Sequence, residues 1–187
     1  MGSGGNDFDI ADKITASNFR QKKTGENTHE IESKPEVSLP TPNKEGIRMY
    51  SAMQIAKYTI NKCTTEGHPI SNLQLQKILY YIQRELLQSG IDGFDDEIQA
   101  WQFGPVVPEV YRQYCGFGAI PIRMKYDVEI GPEYTNIIDP IIEQKRILNP
   151  WDMVTDTHQA GKAWSLIYRE GLGSYTVIPK DLIRTAG

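Results

Sequence analysis

Read for apolar and polar positions, the chain divides into two unequal parts, and the change comes at Tyr50. From there Met49, Met53, Ala56, Ile60 and Cys63 recur at intervals of three and four, which predicts one apolar stripe on a helix that stops before Gly67. The next helix has a full start signal. Ser71 is placed to cap it, Gln74 follows three residues later as in a capping box, and Ile70 can staple onto Leu75. It runs through Leu75, Leu79, Ile82 and Leu86, is widened by Leu73 and Ile78, carries Tyr80 and Tyr81 at its middle and ends at Gly90. Such a broad apolar face predicts a central helix with several neighbours.

Between Phe94 and Gln102 the period shortens to two, with Ile98, Ala100 and Gln102 alternating against Glu97, Gln99 and Trp101; this predicts a short strand broken by Gly104-Pro105. Pro108 suits the first turn of a helix carrying Val110, Tyr111 and Tyr114 and closed by Gly116. Pro121 to Ile130 alternates again and predicts a second strand or hairpin arm. Asp139-Pro140 predicts the start of a helix through Leu148, and Asn149-Pro150-Trp151-Asp152 the start of another. Trp164, Ile167 and Tyr168 define one more, closed by Gly171, and Pro179 to Ile183 a terminal turn. The fold class expected is mainly α with a small β-hairpin or short sheet (α+β). Alternating βα units are absent, which argues against a doubly wound nucleotide fold.

Residues 1–46 hold only two aromatics, Phe8 and Phe19, and three prolines punctuate Lys34 to Lys44. So little burial hardly offsets the entropy of ordering a long segment, and the expected organisation is a flexible or partner-ordered arm over 1–46 before a compact helical domain over 47–187. A short helix over Ile10 to Arg20 is the alternative to a solvated arm.

Composition narrows the chemistry. The chain of 187 residues carries 20 Lys+Arg against 24 Asp+Glu, a net charge of −4, and has a pI near 5.4. That balance weakens any reading as a non-specific nucleic-acid binder. Two cysteines, Cys63 and Cys115, form no disulfide framework and are expected as buried thiols; the start of the chain lacks a secretory signal, so a cytoplasmic location is expected. Gly116-Phe-Gly118 lacks the completion of a phosphate loop, and Asp95-Asp96-Glu97 lacks calcium-loop spacing and reads as a solvated or capping cluster. Asp156-Thr-His158 forms no i,i+4 zinc pair, and His158 is expected to make a structural hydrogen bond near a helix end. Cys63 lies near a helix C-terminus, where the dipole disfavours a thiolate, so its pairing with His68 is a poor nucleophile. No catalytic residue, metal or cofactor is predicted.

The segment Gln99 to Tyr111 differs in kind, because Trp101 and Phe103 flank the turn-forming Gly104-Pro105 and large rings can be fixed on a rigid elbow. It reads either as a packed core corner or as a platform of aromatic anchors for a protein partner. Arg84 and Arg112, on adjacent helices, are candidates for its rim, where they would offer bidentate contacts to acidic groups.

Leu75-Gln-Lys-Ile-Leu-Tyr-Tyr81, followed by Phe94 to Tyr111 with its Ala-Trp, aromatic and Gly-Pro-Val-Val-Pro in order, resembles the SocA-like antitoxin family, also called the Panacea domain or phage-associated GepA-type domain. Thr157-His158 and Ala163-Trp164 resemble its later motif, although Gln-Ala-Gly-Lys-Ala163 stands where a Pro-Trp often follows. The resemblance spans Ser51 to Arg184. It implies a mainly helical antitoxin whose partner is a toxin encoded beside it, with Trp101, Phe103, Gly104, Pro105, Pro108 and Tyr111 in the hallmark segment and Leu75, Gln76, Lys77, Leu79 and Tyr80 in the helix motif. The N-terminal addition is where toxin specificity would lie. Direct neutralisation is the leading reading, a non-enzymatic one. The alternatives are an adaptor delivering the toxin to a protease, with a protease or chaperone as further partner; a small metal-dependent hydrolase using His158, Asp156 and the Asp95 to Glu97 acids; and a DNA-binding autorepressor.

Overall fold

The computed structural model describes residues 49–187; the arm predicted over 1–46 and the helix considered over Ile10 to Arg20 lie outside the described residues. Among the described residues there are seven α-helices and one antiparallel pair of strands. Helix α1 (Ala52–Thr65) starts from a capping box of Ser51 and Gln54, of the same form as the one at Ser71 and Gln74. Helix α2 (Asn72–Gln88) starts from the predicted box, with the Ser71 hydroxyl accepting from the Gln74 N–H and the Gln74 side chain accepting from the Ser71 N–H.

Helix α2 is the axis of the domain. Leu75, Ile78, Leu79, Tyr80, Tyr81, Ile82 and Leu86 are all buried, and so are four polar residues, Asn72, Gln76, Lys77 and Gln83. A helix enclosed all round needs neighbours on every side. Around it pack α1, helix α3 (Pro108–Tyr114), helix α4 (Pro132–Lys145), helix α5 (Pro150–Thr157) and helix α7 (Lys180–Ala186), while helix α6 (Ala163–Tyr168) joins α5 to α7. Asn149 caps α5 through its side chain, which accepts from the Trp151 N–H at 2.9 Å.

Strands β1 (Gln99–Trp101) and β2 (Gly104–Val106) form a hairpin with Gln102 and Phe103 at its turn, in the register Gln99 to Val106, Ala100 to Pro105 and Trp101 to Gly104. The other edge of β1 is occupied from the far end of the domain. Gln99 bridges Val177, Ala100 N–H donates to the Thr176 carbonyl, and Tyr175 N–H and Ile178 N–H donate to the carbonyls of Ala100 and Ile98.

Three expectations are corrected. Pro121 to Ile130 forms no strand or hairpin arm: the Asn61 side chain accepts from the Tyr126 N–H and donates to its carbonyl, both at 2.8 Å, supplying what a ladder would. The helix predicted to begin at Asp139-Pro140 begins at Pro132, with Pro140 inside α4; Asn136 and Pro140 are both exposed, so the bond that proline cannot make falls on the solvent side. Cys63 is buried as expected, but Cys115 is exposed, in a short 3-10 turn after α3.

Candidate functional site

The elbow between β2 and α3 is fixed from below by α2. The Gln76 amide accepts from the Val107 N–H at 2.9 Å and donates to Asn72, while Lys77 Nζ donates to the Pro105 carbonyl at 3.1 Å. Gly104 has φ +103°, where a side chain is strained, and a Cβ there would come within 2.7 Å of Lys77 Nζ and 2.9 Å of Thr157 Oγ1. Four sequence motifs thus converge on one point: Gln76-Lys77, Gly104-Pro105, Thr157-His158 and Trp164. Lys77 has no exposed surface, and burial pushes its amine down to about 7.

His158 ends α5 as anticipated but differs from expectation in its bonding. Its ring stacks on Trp164 with centroids 3.6 Å apart, and its Nε2 is buried without a hydrogen-bond partner among the described residues. Burial, helped by the Lys77 charge, holds it below its ordinary value. Trp164 stacks in turn on Tyr168 and donates its Nε1–H to the Trp101 carbonyl at 2.9 Å, so the stack is tied to β1. Leu75, Leu79 and Tyr80 are core residues of α2.

Above this fixed base the elbow turns aromatic rings outward. Trp101 is half-buried and meets Tyr111 edge-on at 4.8 Å and Tyr175 at 5.3 Å; Phe103 meets Trp151 edge-on at 5.5 Å. Phe103 is 46% exposed, Trp151 55% and Tyr175 67%. Gly104 and Pro105 are buried, whereas Pro108 is half-buried and lines an open cleft of about 250 Å³ with Gln99, Glu109 and Arg112. Arg112 is therefore beside the elbow. Arg84 is held elsewhere: its guanidinium lies 5.3 Å from the Tyr81 ring, and Gly187 packs on its stem. Trp151 and Tyr175 were missed in the sequence, because they lie far along the chain from the elbow and stand outside its motif.

Asp95, Asp96 and Asp156 are engaged in structural bonds. Asp96 accepts from the Ala52 N–H at the start of α1, Asp95 pairs with Lys180 at 2.6 Å, and Asp156 accepts from the Tyr81 hydroxyl and Lys162. Among the described residues no three His, Cys, Asp or Glu side chains come together to hold a metal ion. No helix among them is long and apolar enough to cross a membrane.

The family described as antitoxin SocA-like, Panacea domain, matches residues 75–165, which runs from the helix motif through the elbow to the stack. Antitoxin SocA of Caulobacter vibrioides (strain NA1000 / CB15N) is 32% identical over 135 residues, covering 62% of this chain and 69% of that relative. The chain belongs to the SocA-like antitoxin family. No solved structure matches it. The matched stretch of the SocA-like domain contains the elbow and both residues that pin it, Gln76 and Lys77, together with Trp151; Tyr175 lies beyond it.

Proposed function

We propose that this chain is an antitoxin that neutralises a cognate protein toxin, encoded by a neighbouring gene, through direct stoichiometric binding and without catalysis. The observation that carries this reading is the outward aromatic surface on a pinned base: Trp101, Phe103, Tyr111, Trp151 and Tyr175 are large rings whose backbone is already fixed by α2 and by the sheet. Rings immobilised in advance lose little entropy on binding, and aromatic residues at the centre of an interface supply most of its energy. An interface of ordinary size, about 1,600 Å² in total, is enough for tight inhibition. The domain over 47–187 is the binding unit in this reading, Arg112 stands at the rim, and residues 1–46 add toxin specificity.

Co-expression with the product of the neighbouring gene tests it. The wild-type chain is expected to restore growth and to co-purify with the toxin. Replacing Phe103 and Trp151 together by Ala is expected to cost about 2 kcal/mol or more of binding, roughly 30-fold, with an unchanged melting temperature, because both rings face outward. Undiminished rescue and affinity in that variant would sink the reading. Loss of the toxin itself, only in cells with an intact protease, would point instead to the adaptor.

A further inference from the structure

A second polar cluster, on α2, α4, α5 and the α5–α6 link, takes no part in the aromatic surface. The Tyr81 hydroxyl donates to Asp156 Oδ2 at 2.6 Å, and Lys162 Nζ lies 2.7 Å from Asp156 Oδ1. Both oxygens of the cluster's carboxylate are thereby engaged. Burial pushes the Asp156 carboxyl up, but these two bonds outweigh it and hold it below its ordinary value. Lys145 brings its Nζ 4.2 Å from the centroid of the same Tyr81 ring, and Arg84 its guanidinium to 5.3 Å.

Among the described residues Lys145 makes no ion pair, and the carboxylate nearest Arg84 is Glu85 at 3.9 Å, its neighbour in sequence. Arg84 Nε and the hydroxyl of Tyr80, one turn earlier on α2, are both buried without hydrogen-bond partners among the described residues. Arg84 and Lys162 expose only 23% of their side chains. Burial lowers the Lys145 amine, and the charges of Arg84 and Lys162 lower it further against the pull of Asp156. Three cations, Arg84, Lys145 and Lys162, thus gather around Tyr81 and Asp156 in a partly desolvated place, on a chain whose net charge is −4. A planar guanidinium and an ammonium that lie against the same aromatic ring suit carboxylates well. A nucleic acid fits less well, since its affinity comes from a row of phosphate contacts and one compact cluster offers no such row.

We propose that the cluster around Tyr81 is a docking site for an acidic segment of a protein partner, whose carboxylates Arg84 and Lys145 pair. The site stands on these residues alone and does not depend on the role of the aromatic surface.

The probe is a capped peptide with four consecutive glutamates, titrated at constant ionic strength into the isotope-labelled full chain while backbone amide shifts are followed. Saturable shifts are expected near Tyr81 and Lys145. An equal-length glutamine peptide is expected to give none. Replacing Arg84 and Lys145 together by Gln should weaken binding fivefold or more with the rest of the amide spectrum unchanged, and Lys145→Arg should keep it. Absent shifts, equal shifts in the Gln variant, or tighter binding of a duplex oligonucleotide at the same amides would each overturn the proposal. Should the Gln variant lose its folded spectrum, Lys145→Arg and the glutamine peptide still decide, because binding indifferent to peptide charge excludes the site.

Discussion

Lys77 places an amine where water cannot reach it, with the Pro105 carbonyl as the partner of one of its three donor hydrogens. Its folded value of about 7 lies below the ordinary value near 10.4. Between the two, the unfolded chain holds a proton that the folded chain has released, so stability rises as pH climbs through that window and the penalty is full below it. Cys63 works the other way: burial raises its thiol to about 11, so above about pH 8.5 it removes stability. Comparison of melting temperatures for the wild type and Lys77→Met, from about pH 6.5 to about pH 8.5, isolates the lysine. The wild type is expected to gain on the variant as pH rises. At Gly104 the backbone and the space agree: Gly104→Ala adds a strained φ and a contact with Lys77 and Thr157, and a loss of about 2–3 kcal/mol in denaturant unfolding is expected. The sequence shows that a glycine is needed at this turn. What it hides is the far side of the contact, since Lys77 and Thr157 come from helices whose packing no local rule dictates.

Where the chain leaves its helices, side-chain amides replace the missing backbone ladder. Asn61 holds Tyr126 by both its N–H and its carbonyl, and Gln83 holds Phe94 in the same way, at 3.0 Å each. Gly93 beside it leaves no room for a Cβ, which would collide with the Gln83 side chain. Gln83→Ala strands a buried N–H and a buried carbonyl, and a loss of about 2–3 kcal/mol is expected in urea unfolding. These clamps explain which elements could be read in advance. The helices α1, α2, α3 and α5 carry their own signals in caps, prolines and apolar spacing, so they were legible. The alternation from Pro121 to Ile130 matches alternating burial, but it reports two-sided exposure and not the pairing partner, which is a side chain of α1 rather than a strand. Pro140 misled because proline is commonest at a helix start, whereas here Pro132 takes that position and Pro140 is tolerated on the exposed side.

Across the whole molecule the three tryptophans divide by environment. Trp164 is buried between His158 and Tyr168, while Trp101 and Trp151 belong to the outward surface. A partner that covers this surface is expected to shift the emission of Trp101 and Trp151 to the blue and to leave Trp164 unchanged. In Trp151→Phe the larger part of that shift should vanish, and fluorescence titration reads it directly; an unaltered shift would place the contact elsewhere. Three of the five rings were legible, since Trp101, Phe103 and Tyr111 belong to one continuous segment. Trp151 and Tyr175 join it only through tertiary packing. The flank that Tyr175 and Val177 give to β1 also sets an order of events during synthesis. The hairpin and α2 leave the ribosome before the segment that completes them, so a nascent chain has its elbow before it has all the rings that surround it. A product broken off before Tyr175 would keep most of the helices and lose one wall of the aromatic surface.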